Sequence, residues 1–443
     1  MPFGPPKTTP PVVSPTRGFP IRRAWHAAGM PQPRRLFPVT AYALVAVMAV
    51  VLLLTPGCGS SDSPGTPAAN SPAPTPTADP TAPVWGFLRL DEAAPAIGVP
   101  RVPASEVQAG SWQFAAATRQ ARATVIRRET GRYSVIFPRV GVPGGRGAAV
   151  VSAVGDAPVH CHTENWAASG LDEEVTLACR SLTGAYADSR FTALFTFAPA
   201  SHRPNPSEPY AYFRDDAPSQ QQVRPENSYS LAGPGTIEIN WTGIGRYSID
   251  LIGALYARTG NNLQVNALGS TTVGCSALGR EVHADRQTIF VGCANGQTWT
   301  DAPFVVVYGN QHTVIPVENA AFGHSFSGLE EEGTGKILQP PLERTVDVWP
   351  RYSANSAKKT NTIRHVSTGI YEVVFPGAGR APDHVQVTPY GEPTRRCAIA
   401  GWTSPPAGES GDVTTKVVCF DPDGSRADSQ FSLAYVSTAA LTS

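Results

Sequence analysis

Between Ala157 and Trp166 the chain reads APVHCHTENW, which sets His160, Cys161, His162 and Glu164 within five positions. Imidazole, thiolate and carboxylate are the ligand types of zinc and copper sites. On a strand, His160 and His162 share one face and Cys161 turns to the other. Glu164 or a distant residue would have to complete the set. The alternative is a solvated strand face whose cysteine is bonded to another cysteine, and a bridged sulfur is a poor metal ligand.

Other short stretches invite chemistry as well. Gly408-Glu-Ser410-Gly-Asp412 resembles the Gly-Asp-Ser-Gly nucleophile segment of chymotrypsin-like proteases. Serine catalysis needs a histidine base and an orienting acid, and no His/Asp framework of that family precedes this segment, so a turn is expected. Asp421-Pro-Asp423-Gly424 with Asp428 could form a calcium loop, but the glycine stands at the wrong place for an EF-hand, and Asp-Gly suits a tight turn. Glu330–Glu332 reads as a solvated loop. A hydrolytic site at a domain joint could be built from non-repeated residues such as His202, His283, His312 or His324. Of the eight tryptophans, Trp112, Trp241, Trp299 and Trp349 could stack on sugar rings if exposed.

The elements that must position these residues follow from composition and pattern. The 443 residues suit two to four domains. Lys+Arg and Asp+Glu are both 35, so no global charge favours nucleic acid. Only 16% of residues are charged, and 41 Gly with 43 Pro favour a turn-rich β protein.

Residues 40–54, TAYALVAVMAVVLLL, are short for a membrane span and suit the core of a signal peptide. Arg22, Arg23, Arg34 and Arg35 precede this run, and the first acidic residue is Asp62, which orients the start of the chain toward the cytoplasm. The run ends in Leu54-Thr-Pro-Gly57-Cys58, which resembles the lipobox of bacterial lipoproteins; Gly57-Cys58 fits its last positions, while Thr55 and Pro56 depart from it. That resemblance implies lipidation of Cys58, with a signal-anchor helix as the alternative. Residues 1–57 are thus expected to be a signal peptide with a cytoplasmic lead, whose natural start could be Met30. Residues 58–83 are rich in Pro, Ser and Thr and form a tether. It could hold the body on the order of 70 Å from the membrane at ~3.1 Å per residue.

The remainder is one unit repeated three times, at 84–199, 208–309 and 320–438. Gly131-Arg-Tyr133-Ser-Val-Ile-Phe137 matches Gly245-Arg-Tyr247-Ser-Ile-Asp-Leu251 and Gly369-Ile-Tyr371-Glu-Val-Val-Phe375. Val151-Ser-Ala-Val-Gly155 matches Val265-Asn-Ala-Leu-Gly269 and Val387-Thr-Pro-Tyr-Gly391. Six residues past those glycines stand Cys161, Cys275 and Cys397, and Cys179, Cys293 and Cys419 follow. Each unit then has an aspartate (Asp188, Asp301, Asp428) ahead of a strand led by Phe191, Phe304 or Phe431. A side chain that hydrogen-bonds turn backbone explains this recurring aspartate. Trp166 and Trp402 share one position beside the bridge, where the middle unit carries Arg280.

Within each unit the hydrophobic period is two, with Tyr133, Val135 and Phe137 on one side of their strand. The expected fold is all-β: three tandem antiparallel sandwiches or small barrels, each self-contained. Six cysteines allow fifteen pairings, and the repeat selects Cys161–Cys179, Cys275–Cys293 and Cys397–Cys419. Cys58 is left over, as a lipid acceptor requires. The combination G-x-Y-x-V-x-F, V-x-x-x-G-x5-C, a second cysteine and D-x-x-F resembles repeat domains of predicted secreted proteins of high-GC Gram-positive bacteria. The resemblance implies architecture and no activity.

The functional expectation is a non-enzymatic surface lipoprotein for ligand binding, adhesion or envelope structure. It would sit outside the cytoplasm, tied to the cell membrane by a lipid anchor or N-terminal helix, with a cell-wall, glycan or protein ligand. No cofactor, metal or nucleic acid is expected. An anchored hydrolase or a carbohydrate-binding protein is the alternative.

Overall fold

The structure, a computed structural model, describes residues 80–330, 337–348 and 352–438. The signal segment, Cys58, most of the tether, Glu331, Glu332 and Trp349 lie outside the described residues. The described fold is all-β; the helical elements among these residues are single 3-10 turns such as Ser105–Val107 and Ala254–Tyr256.

Each repeat folds into two sheets. One carries the disulfide; in repeat 1 its strands are Pro100–Arg101, Thr124–Glu129, Arg132–Phe137, Asp172–Ser181 and Val159–Ser169, in that spatial order. The other is formed by Ala148–Val154, Arg190–Phe197, Val84–Leu90 and Gln108–Gly110. We call these the bridge sheet and the axial sheet. Repeats 2 and 3 use the same order, with axial sheets led by Asn261–Ala267 and by Asp383–Tyr390. The alternation seen in the sequence is met literally: Tyr133, Val135 and Phe137 are at most 1% exposed and form core with Trp85, Val175 and Leu177. Burying such side chains contributes about 1.5–3 kcal/mol each.

The three bridges join Cys161 to Cys179, Cys275 to Cys293 and Cys397 to Cys419. Each links residues directly opposite one another on antiparallel strands. Such bridges persist in oxidising compartments, which fits a location outside the cytoplasm. No helix among the described residues is long and apolar enough to cross a membrane.

The repeats are not self-contained in the way the sequence suggests. The described residues, from 80 to 438, belong to one compact unit. The bridge sheet of repeat 3 continues into the axial sheet of repeat 1 through a parallel pairing of Ile399 with Val154. That of repeat 2 continues into repeat 3 through Ala277 and Tyr390. Thr163 pairs with Leu268 and links repeat 1 to repeat 2. The shared glycines mark these seams: Gly155 N–H donates to Ile399 O, Gly269 N–H to Thr163 O and Gly391 N–H to Ala277 O. A linear array would leave two free ends. Here the pairings run 1 to 2, 2 to 3 and 3 to 1, so the chain closes on itself around a pseudo-threefold axis.

The recurring aspartate explains three of the shared motif positions. Asp188 accepts the N–H of Gly131 at 2.8 Å, and Asp301 and Asp428 accept those of Gly245 and Gly369 at 2.6 and 2.7 Å. The turn it holds is therefore the hairpin more than fifty residues upstream, rather than its own loop. The hydroxyls of Tyr133, Tyr247 and Tyr371 donate to the same carboxylates. A third donor differs: Arg127 in repeat 1, Trp241 Nε1 in repeat 2 and His365 Nε2 in repeat 3. The glycine is obligatory there. Gly131 has φ +68, and a Cβ would stand 2.6 Å from Cys179 O.

Candidate functional site

The seams bring the residue before each first cysteine to one end of the axis. Bridge-sheet strands Val159–Ser169, Gly274–Val282 and Arg396–Thr403 begin there and place His160, Gly274 and Arg396 in equivalent positions. Between them lies a small cavity of about 40 Å³. Val151, Val265 and Val387 of the axial sheets line it, as do His162 and the three cysteines Cys161, Cys275 and Cys397.

This corrects the expectation for the HCH stretch. His160 and His162 do not lie on a solvated face; they are 9% and 2% exposed. Their rings are stacked at 5.8 Å between centroids. His162 Nε2 faces Gly269 O at 3.1 Å. Both nitrogens of His160 and Nδ1 of His162 are buried with no hydrogen-bond partner. Burial, aided by the nearby Arg180 and Arg396 guanidinium groups, depresses both imidazoles, His162 to about 4. Glu164 does not join them, because it is paired with Arg132 at 2.9 Å. Among the described residues no group of three or more His, Cys, Asp or Glu could hold a metal ion.

Arg396 is the residue that the short window could not show. It is 8% exposed, and burial lowers its guanidinium to about 10. Its donors reach three backbone carbonyls, those of Pro393, Arg395 and Ala294. Gly274 makes room for it: a Cβ on Gly274 would stand 2.2 Å from Arg396 Cζ.

Further along the axis the repeats are tied by side chains that clasp one another's backbone. Val387 N–H donates to Ser152 Oγ, Val151 N–H to Asn266 Oδ1 and Val265 N–H to Thr388 Oγ1, at 3.1, 2.6 and 2.9 Å. Ser152, Asn266 and Thr388 are equivalent positions, so one contact recurs three times with three residue types. Gln386 accepts from Ser152 at 2.6 Å and reaches Val150 O; Gln264 accepts from Thr388 and reaches Asn262. His384 Nδ1 lies 2.6 Å from Thr192 Oγ1, fully buried, and burial pushes this imidazole down to about 3. These axial side chains tolerate burial because each is hydrogen-bonded.

The remaining candidates resolve one by one. Ser410 is exposed in a loop with no histidine among the residues around it. Asp421 pairs with Arg395, and Asp423 accepts from Ser425, which is the hydrogen bonding of a turn. The His202 ring is tilted against that of Tyr229, His312 Nδ1 faces Thr313 O, and both nitrogens of His324 are buried and unpartnered. His283 has Glu281 at 3.7 Å on the surface. Trp112 is buried with its N–H on Ala121 O, Trp241 bonds Asp301, and Trp299 lies under Arg246. Trp166 donates to Arg146 O, Arg280 to Asn261 and Trp402 to Asp383. The position shared by these three residues therefore ties the bridge sheet to the start of the axial sheet in every repeat.

Gln264, Gln386, Thr192 and His384 were not legible as site residues, because each contacts a different repeat. The available signal was the alignment of the repeats, which sets His160, Gly274 and Arg396 in one column. No protein-family model, curated protein or solved structure matches the chain.

Proposed function

We propose that the protein is a non-enzymatic binding or structural component of the cell surface, a rigid head presented on a lipid-anchored tether. The observation that carries this reading is the use to which the shared polar residues are put. The aspartates and tyrosines that recur across the repeats hold each repeat's own hairpin, and the axial side chains at equivalent positions hold the repeats to one another. Among the described residues no hydroxyl side chain hydrogen-bonds to the imidazole ring of His202, His283, His312 or His324, and of these four only His283 has a carboxylate at ion-pair distance. This weighs against the anchored hydrolase. The described unshared tryptophans are buried, hydrogen-bonded or covered by arginine, which weighs against a sugar-stacking strip.

Room for a ligand exists where repeats meet. Two open grooves, of about 1030 and 860 Å³, share Arg380. The first runs past Phe114 and Arg119, the second past Lys358 and Lys359. Ligand sites favour such concavities. Blocking lipoprotein signal processing in the native host should leave a larger precursor; an unchanged protein removes the anchor. Binding of the exported protein to isolated cell wall should weaken in Arg380→Glu, whereas equal retention of both proteins removes the groove from consideration.

A further inference from the structure

The cavity where the three repeats meet has an uncompensated positive charge. Arg396 is enclosed, and the acidic side chains of its own loop and the facing one, Glu392 and Asp421, are both engaged by Arg395. The three carbonyls that accept from Arg396 satisfy part of its fork and leave its charge unneutralised. A guanidinium has five N–H donors, so two remain. Arg180, stacked on Tyr186 at 3.7 Å, adds a second positive charge near His160. The rings of His160 and His162 border the cavity; neutral His160 offers one N–H without a partner, whereas His162 gives its N–H to Gly269 O. A buried charge is costly unless it is paired, and a cation would make the deficit worse. The volume exceeds the 10–15 Å³ or so that one water needs and is too small for an organic ligand.

We infer that this axial cavity binds one small inorganic anion of about chloride size, held by Arg396 and the one N–H that neutral His160 carries. The site exists only in the closed ring, since repeat 1 supplies the His160 donor, repeat 3 the arginine and repeat 2 the gap at Gly274. It would stabilise the junction of all three repeats by neutralising Arg396, and it is independent of any ligand on the outer grooves.

The test is thermal unfolding of the exported protein at fixed ionic strength while gluconate is exchanged for chloride. The expected result is a saturable rise in Tm with chloride, weakened about tenfold or more in Arg396→Gly, a change that copies the natural glycine at the equivalent position of repeat 2. An equal response to chloride and gluconate overturns the inference, and so does a chloride response that Arg396→Gly leaves unchanged. Should that variant fail to fold, bromide-soaked crystals of the unaltered protein decide: an anomalous peak beside Arg396 supports the site, and water alone in the cavity overturns it.

Discussion

The hairpin clamps and the axis solve the same problem, satisfying polar groups inside a β protein, in opposite ways. At the clamps the residue types recur: glycine, tyrosine and aspartate appear in all three copies, and only the third donor varies among Arg127, Trp241 and His365. At the axis hardly any type recurs. Ser152, Asn266 and Thr388 do one job, and His160, Gly274 and Arg396 share one location. The difference follows from who the partner is. A clamp is completed inside its own repeat, so each copy must carry the full set. An axial residue meets a different copy, so a large group in one repeat can be matched by a gap in another, as Arg396 is by Gly274. A chain that fuses its three units is free to use this asymmetry, which three identical subunits could not.

Acid should separate the two regions most strongly. Burial holds His324 and His384 at about 3 when folded, against about 6.5 in an unfolded chain. The unfolded state therefore takes up protons first as pH falls below 6.5, and stability present above that pH is progressively lost. Two such groups give a loss of about 4 kcal/mol by pH 5. Chemical denaturation at pH 7.5 and pH 5 measures it together with the contributions of the other depressed imidazoles, His160, His162 and His312, and His384→Gln should remove about 2 kcal/mol of the total. The clamp responds later. Hydrogen bonds from Arg127 and the Gly131 N–H outweigh burial and keep the Asp188 carboxyl below its ordinary value, so its contribution is lost only on protonation below about pH 4. Equal stability at the two higher pH values would break the contrast.

Next in size are the bridges. Replacing Cys161 and Cys179 by Ala should cost about 3 kcal/mol, and the same holds for either other pair, since the loops are alike in length. Because the ring is closed, calorimetry should still show one transition for all three repeats. Three separable transitions would mean that the seams carry little energy.

Asp188→Ala removes a paired arginine, a hydroxyl and a backbone N–H together, and should cost about 2–3 kcal/mol; Asp301→Ala, with no ionic partner in its clamp, about 1–2 kcal/mol. Urea midpoints give the order, and a reversal would show that the charge pair contributes nothing. The smallest effect is expected for Ser152→Thr, which borrows the residue that repeat 3 already uses at that position. It should change stability by about 1 kcal/mol or less, whereas Asn266→Ala, which leaves Val151 N–H unmatched, should cost about 1–3 kcal/mol.

Much of the fold was legible in the sequence. Period-two alternation located Arg132–Phe137 and its counterparts, and the predicted closing strand Phe191–Phe197 differs from the observed Arg190–Phe197 by one residue. The repeat alignment singled out the three bridges. It also marked Asp188, Asp301 and Asp428 as backbone acceptors, although not which backbone they hold. What misled was the local window around His160: alternation says which side of a strand a residue occupies and nothing about what another copy of the unit will bring against that side.

The sequence by itself determined the unit: its strands, its disulfide, its Gly-Tyr-Asp set and its threefold repetition, because these depend on contacts within about a hundred residues whose pattern is printed three times. Only the tertiary structure decided that the units close into a ring. That outcome rests on single parallel pairings at Val154, Leu268 and Tyr390 and on side chains such as Ser152 and Gln386 that reach more than two hundred residues along the chain. In the sequence only the glycine after each of these positions marks them, and it does not say which repeat is the partner. Whether His160 faces water or Arg396 is settled by where a third repeat comes to rest, and hydrophobic alternation cannot encode that.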